Sequence, residues 1–534
     1  MLCKGVSITT RMYIKPYQAK DIACLILTVA FLGTSFVSLG QNEHIQFKNE
    51  FEKRVLTDIE SHSELEVLLA ISENGSNTLV EKVNFQIEKL KSDLSKKKFD
   101  AKPADKKLKL LFDLTHKNFF LKYKEISNFD KIFDTKEYNC VSATALYCLV
   151  LQEYDIPFSI KETPTHVYSI AYPATRSIVL ESTAPKNGYY NPSNSDIQKA
   201  VGSLVELKYY TKEEVESKGV RQVYNEFFYS EDEIDIKKLA GLQYHNEAIT
   251  YLSEEDYERA LNSNYKSQIL YRSEKTEYLG YILLAGILNK SGFETFADIQ
   301  YLAQYANISI VDKDEITSAY KTIMNDRLFH ESDVANMDSI YSYLSQNLSD
   351  SILAEDISGI HFEGYARFYA QKSDLKNSLR FSSKAYELNP NNVTIQALIT
   401  QALVQDLSRR TGNTSTLKKM DNYITQFPFL EENSLYQSLY FFTYAYNAFN
   451  HFRADDIKKG LYYLKLLESL IGRFGEELRY DENQYGMVYA EAGAAYFRER
   501  RYVEAKKIIQ KGLNIMPEHP ELKVRLEIVL EEMN

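Results

Sequence analysis

The feature that most constrains this chain is a recurring helix-pair pattern in its C-terminal part. From about Ile236 to the end, no stretch has the alternation of apolar and polar residues that predicts a strand. The clearest unit runs from Tyr489 to Pro517, where aromatic and small residues recur at helical spacing on two successive segments. A second unit, from Phe362 to Pro390, has the same residue types at the same offsets, and a weaker one begins at Tyr244. Small residues at these offsets let paired helices approach closely, so we expect stacked helix pairs.

The two better units resemble the tetratricopeptide repeat, a helix pair of about 34 residues. The resemblance implies that residues 236–534 form an all-α tetratricopeptide-repeat solenoid, whose concave face would bind a protein or peptide partner. The interval between the two units is not a whole number of repeats, so degenerate units or insertions must lie between them. A generic helical bundle with a chance pattern is the alternative.

Residues 100–235 predict an α+β domain, in which helices come first and a small sheet follows. We expect a helix from Asn139, a good N-cap, to about Tyr154. Three segments rich in β-branched and aromatic residues then predict antiparallel strands: "IPFSIKE", "HVYSIAYP" and "RSIVLEST". The stretch "APKNGYYNPSNSD" predicts a loop, and Thr211 with Glu214 predicts a capping box for one more helix. A charged helical segment, residues 41–99, precedes this domain.

The predicted first turn of the helix after Asn139 holds Cys140, one of two cysteines beyond residue 40. A helix N-terminus supplies partial positive charge and free backbone N–H groups, which stabilise a thiolate and a developing oxyanion. A cysteine nucleophile also needs a histidine base and a third group that orients the base. His166 opens the second predicted strand and Glu181 ends the third, so adjacent strands would bring them together at the helix start. The alternative role, a small buried apolar residue, is the one expected for Cys148.

Residues 139–185 resemble the transglutaminase-like domains of the papain-like cysteine superfamily. In that family a helix-starting cysteine precedes a strand with histidine and a strand that ends in an acid. The resemblance implies that Cys140 is the nucleophile, His166 the general base and acid, and Glu181 the residue that orients His166. The family usually has Asp as the acid and often an aromatic residue, commonly Trp, after the histidine. This chain has Glu, no Trp, and Tyr168 nearby.

The resemblance implies a cysteine-dependent hydrolase or acyl transferase that acts on protein or peptide amides, with hydrolysis favoured by analogy. The alternative is a non-catalytic transglutaminase-like fold, with the repeat array as a scaffold for protein–protein interaction. His116, on the helix that precedes residues 139–185, would either lie behind the site or be a solvated helix residue.

Residues 1–40 predict export. Four basic residues precede an apolar run from Ile22 to Val37, and small residues up to Gly40 follow it, as in a secretory signal peptide. We expect cleavage after Gly40, a periplasmic or cell-envelope location and no integral membrane domain in the mature chain. An uncleaved membrane anchor is the alternative.

Charge and residue spacing exclude two classes of function. The net charge is −11, and a nucleic-acid-binding surface needs clustered positive charge. The nine histidines are scattered, and no Cys or His pair has the spacing of metal ligands. We therefore expect neither a nucleic-acid partner nor a metal or other cofactor.

Overall fold

The computed structural model describes residues 45–163, 166–182, 189–190, 194–206, 210–228, 233–410 and 414–533. The predicted export segment lies outside these residues. The chain forms two compact units, one ending at Ile308 and one beginning at Ser309, and most of the described residues are helical. None of the helices in the described ranges combines the length and the apolar character needed to span a membrane.

Four helices open the described part of the first unit. They are α1 (Glu50–Thr57), α2 (Glu64–Leu69), α3 (Asn77–Lys96) and α4 (Ala104–Phe119). Polar N-caps begin three of them, since side chains of Asn49, Ser63 and Ser76 each accept a hydrogen bond from a first-turn amide. The apolar faces of these helices are buried in the core of the unit.

A small sheet follows the opening helices. The elements in chain order are β1 (Lys122–Tyr123), α5 (Lys131–Asp134), β2 (Glu137–Tyr138), α6 (Cys140–Glu153), β3 (Phe158–Thr163), β4 (His166–Ala171), β5 (Ile178–Leu180), β6 (Tyr189–Tyr190), α7 (Asn194–Glu206), α8 (Lys212–Lys218), α9 (Val220–Phe228) and β7 (Glu233–Ile234). Five strands form an antiparallel sheet in the order β6-β5-β4-β3-β7, and β1 pairs with β2 in parallel.

The predicted helix and three strands agree with α6 and with β3, β4 and β5. The capping box predicted at Thr211 and Glu214 also forms at the start of α8. The short strands β1, β2, β6 and β7 were not predicted. The stretch 184–196, predicted as a loop, contains β6 and the first turns of α7, and its residues 184–188 and 191–193 lie outside the described ranges.

The core of the first unit extends past the sheet into the next helices. These are α10 (Ile236–Ser253), α11 (Tyr257–Leu270), α12 (Glu274–Lys290) and α13 (Phe296–Ala306). Helix α6 packs against β4 on one side and α10 on another, and α10 packs closely against α11. Buried residues of α10 and α11, including Tyr244 and Leu270, belong to the same apolar cluster as α6.

The second unit is helical in its described residues. Its helices are α14 (Lys313–Met324), α15 (Val334–Asn347), α16 (Ser351–Gln371), α17 (Leu375–Leu388), α18 (Val393–Leu407), α19 (Thr414–Gln426), α20 (Ser434–Arg453), α21 (Ile457–Phe474), α22 (Glu482–Arg498), α23 (Tyr502–Ile515) and α24 (Pro520–Glu531). Successive helices such as α16 and α17, or α22 and α23, pack as pairs. The helical bulk is compatible with a solenoid.

Close approach within the pair α22 and α23 depends on glycine. A Cβ atom added at Gly493 would lie 2.4 Å from the side chain of Ile509, and one added at Gly512 would lie 2.8 Å from Tyr489 Cβ. Both distances are too short for van der Waals contact. Gly493 and Gly512 both belong to the Tyr489–Pro517 unit of the sequence pattern, and their lack of a side chain lets the two helices approach closely.

Candidate active site

Asn139 is the N-cap of helix α6 and determines the residue at which the helix begins. The Asn139 side chain accepts a hydrogen bond from the Ser142 amide at 2.9 Å, and the Ser142 hydroxyl accepts one from the Asn139 amide at 3.0 Å. Asn139 Nδ2 also donates to the carbonyl oxygen of Glu125 at 3.0 Å. The cap is thus anchored on both sides, and Cys140 is the first residue of the helix, with a partly buried side chain.

Strands β4 and β5 carry the other two predicted site residues. His166 is the first residue of β4, and Glu181 directly follows the last residue of β5. The two strands are adjacent and antiparallel, with Ala171 opposite Ile178. The start of β4 and the end of β5 therefore lie at the same end of the sheet. The hydroxyl of Thr144 on α6 donates to the carbonyl oxygen of Val167 at 3.2 Å. This bond holds the helix against the strand next to His166.

The three residues predicted from the sequence are brought into contact. Nε2 of His166 is hydrogen-bonded to Oε2 of Glu181, and the side chain of Cys140 lies close enough to the ring to raise its pKa. The side chains of His166 and Glu181 are 23% and 20% exposed, so the group is partly shielded but open to solvent.

The charge on His166 depends on its two partners. Burial lowers the pKa of the imidazole, but the hydrogen bonds and negative charges at Cys140 and Glu181 outweigh burial and raise the pKa to about 9. His166 is therefore an imidazolium at neutral pH. The positive ring and the N-terminus of α6 both present positive charge beside Cys140. The arrangement can supply a nucleophile and a proton from adjacent atoms.

Sequence reasoning missed the pairing of β1 with β2 at this site. The ladder places Tyr123 opposite Tyr138, two positions before Cys140, and their rings meet edge to face at 5.6 Å. The hydroxyl of Tyr138 donates to the carbonyl oxygen of Ser182 at 3.4 Å, which ties the start of the helix to the segment after Glu181. A two-residue strand has no periodicity to recognise, and "LKYKE" continues a helical pattern.

Two further residues considered in the sequence have packing roles in the structure. Cys148 is fully buried on α6, and burial raises the pKa of its thiol, which suits the packing role predicted for it. His116 lies among the rings of Phe112, Phe120 and Tyr138. Burial lowers its pKa, and its Nε2 has no hydrogen-bond partner in the described part of the chain. His116 is therefore part of an aromatic cluster behind Tyr138.

No cluster of three or more His, Cys, Asp or Glu side chains suited to a metal ion occurs within the described ranges. Comparison with known proteins adds no identification: no family model matches the chain, and no curated protein is significantly similar to it.

Proposed function

We propose that this protein is a cysteine-dependent amide hydrolase or acyl transferase, whose reactive group is Cys140 with His166 and Glu181. The observation that carries the proposal is the grouping of Cys140, the first residue of α6, with a histidine that is hydrogen-bonded to Glu181. A thiolate beside an imidazolium is the resting state of a cysteine nucleophile, and the carboxylate keeps the ring oriented. The resemblance of residues 139–185 to transglutaminase-like domains supports the same assignment.

In the proposed reaction, the sulfur of Cys140 adds to an amide carbonyl carbon and the carbonyl π electrons move to the oxygen. The resulting oxyanion lies at the start of α6, where backbone N–H groups point towards it. Collapse of this intermediate breaks the carbon–nitrogen bond, and His166 gives its proton to the leaving amine. Water or a second amine then attacks the thioester, with neutral His166 taking the proton of the incoming group. Attack by water completes hydrolysis, and attack by an amine completes transfer.

The test is the rate at which iodoacetamide alkylates Cys140, followed by mass spectrometry of the peptide that contains it. We expect Cys140 to react at neutral pH faster than the same cysteine in urea-unfolded chain, because folding places it beside His166. His166→Ala should remove most of that advantage. Cys148 is the internal control, since it becomes reactive only when the chain unfolds. If folding does not accelerate the alkylation of Cys140, the enzyme proposal is wrong.

Variants of Cys140 can also be used to search for a substrate. Cys140→Ala should abolish any turnover of peptide amides, while Cys140→Ser should accumulate a slow acyl-enzyme ester that mass spectrometry can detect. An ester on the substituted serine hydroxyl, made from a cellular peptide, would reveal the substrate class. Turnover that persists in Cys140→Ala would assign the activity to another site.

We further propose that the helix pairs of the second unit hold the protein or peptide substrate or partner. The support is the recurring helix-pair pattern, which is typical of arrays that present an extended binding surface. If Cys140 proves unreactive, the interaction scaffold becomes the favoured function, and partner binding by the second unit should then survive Cys140→Ala and His166→Ala unchanged.

Export is the remaining part of the proposal and is supported by the signal-like pattern of residues 1–40. Sequencing the N-terminus of protein purified from its native source should find Gln41 first. An intact N-terminus in a membrane fraction would favour the anchor instead.

A further inference from the structure

Backbone pairing holds Tyr123 opposite Tyr138, two residues before the candidate nucleophile. The Lys122 amide donates to the Lys136 carbonyl oxygen at 3.2 Å, and the Lys124 amide donates to the Tyr138 carbonyl oxygen at 2.9 Å. These two bonds flank Tyr123 and fix it opposite Tyr138. The edge-to-face contact of the two rings then limits where the Tyr123 side chain can point.

The hydroxyl of Tyr123 is free to bind a ligand. The residue is 44% exposed, although it belongs to a strand, and its hydroxyl has no hydrogen-bond partner among the residues that the structure describes. Burial of part of the side chain raises the pKa of the phenol to about 12, with smaller contributions from the charges of Cys140, Glu125 and Glu181. Tyr123 therefore keeps its proton at neutral pH and can act only as a neutral hydrogen-bond donor or acceptor.

Backbone donors at the start of α6 are only partly used. The amide of Ser142 donates to the Asn139 side chain, and that of Ala143 donates to the Asn139 carbonyl oxygen. The amides of Cys140 and Val141 have no acceptor within the described ranges. An oxyanion formed on a substrate next to the Cys140 sulfur would meet these amides on one side. A second, side-chain donor would complete its coordination.

We propose that the Tyr123 hydroxyl is this second donor and stabilises the oxyanion formed when Cys140 adds to an acyl carbonyl. The assignment rests on the proposed function, because it needs Cys140 to act as a nucleophile. In the step itself, a carbon–sulfur bond forms and the carbonyl π electrons become the negative charge on oxygen. Tyr123 and the Cys140 amide donate hydrogen bonds to that oxygen, and both keep their protons. When the carbonyl re-forms, the leaving group departs with the bonding electrons and Tyr123 is unchanged.

Two reactions of Cys140 separate this role from a structural one. Acylation by p-nitrophenyl acetate passes through an oxyanion and releases p-nitrophenolate in a burst that absorbance records. Alkylation by iodoacetamide displaces iodide and forms no oxyanion. We expect Tyr123→Phe in the full-length chain to slow the acylation burst about 100-fold, the usual effect of losing one oxyanion donor. The same variant should alkylate at the wild-type rate, because its ring still packs against Tyr138.

The matched control is Tyr462→Phe, which removes a hydroxyl from a tyrosine of the second unit that is 60% exposed. It should leave both reactions unchanged. Tyr123→Phe with wild-type acylation would overturn the assignment, and so would an equal loss of acylation and alkylation, which would mark a structural role. A wild-type Cys140 that folding activates towards neither reagent would overturn the proposed function and this inference together. Normal alkylation with unaffected acylation in Tyr123→Phe would overturn the inference alone.

Discussion

A buried ion pair links the first and the later helices of the first unit. Glu52 lies on α1 and Lys266 on α11, and their side chains are 0% and 1% exposed. Lys266 Nζ lies 3.0 Å from each carboxylate oxygen of Glu52, and the Tyr244 hydroxyl donates to the same carboxylate at 2.9 Å. We predict that Lys266→Met, which keeps the apolar stem and removes the charge, strongly destabilises this unit.

The magnitude follows from what Lys266→Met leaves behind. Breaking a buried ion pair costs about 3–5 kcal/mol, because the remaining charge is neither solvated nor paired. Glu52 would keep the bonds from the Tyr244 hydroxyl and the Lys48 amide, so we expect the lower end, about 3 kcal/mol. In a unit of this size that loss corresponds to a decrease in Tm of about 6–12 °C. Glu52→Gln combined with Lys266→Met removes both charges and should recover part of the loss.

Hydrogen exchange measured by mass spectrometry is the suitable assay, because peptides from α1 and α11 report on the first unit alone. Lys109→Met is the control: it removes an exposed pair with Asp113, 3.2 Å apart, and should leave exchange unchanged. If Lys266→Met lowers the free energy of unfolding by less than about 1 kcal/mol, the ion pair does not behave as a buried one, since such a value is typical of a solvated pair. A double variant no more stable than Lys266→Met would show that the unpaired charge of Glu52 is not the cause.

Three more predictions concern the site and the helix pairs. The pKa of His166 is raised from its ordinary 6.5 to about 9. The charged ring therefore contributes its full stabilisation of the fold below pH 6.5, and this stabilisation is lost as the pH rises through about 9. The rate of Cys140 alkylation, plotted against pH, should show an inflection near pH 9 that the His166→Ala variant lacks. Glu181→Gln keeps the shape of the side chain but removes its charge. We expect the alkylation of Cys140 at neutral pH, measured on the peptide that contains it, to slow at least about tenfold. An unchanged rate would contradict the proposal that Glu181 orients His166. Gly493→Ala should destabilise the second unit by about 1–3 kcal/mol, because the added methyl group overpacks against the facing helix. Gly472→Ala is the control, since a Cβ atom there meets no atom within 4 Å, and it should not destabilise the unit. Hydrogen exchange of peptides from α22 compares the two variants.

Local chemistry explains why part of the site could be predicted. Asn139 is a helix cap by residue type, and the apolar residues after it contain no helix breaker, so the position of Cys140 followed from neighbouring residues alone. The strands that carry His166 and precede Glu181 are rich in β-branched residues and bounded by turn residues, which are also local signals. Their adjacency was an assumption in the sequence, and the antiparallel pairing of β4 and β5 supplies it.

The parts of the molecule that could not be predicted depend on partners distant in sequence. Strand β1 consists of two residues that pair with β2, and β7 is added to the sheet edge next to β3 after helices α7, α8 and α9. The ion pair of Glu52 and Lys266 joins residues 214 positions apart. No spacing rule connects such residues, because their proximity results from the packing of whole elements.

By itself, the sequence determined the cap that starts α6, the type of the elements that carry Cys140, His166 and Glu181, and the glycines at which helices pair closely. These features depend on backbone preferences and on periodicities that act over a few residues. Only the tertiary structure decided that the His166 ring is hydrogen-bonded to Glu181 and that Tyr123 lies opposite Tyr138, two residues before Cys140. Those relations depend on strand register and on the docking of a helix against a sheet, which the burial of the whole core sets.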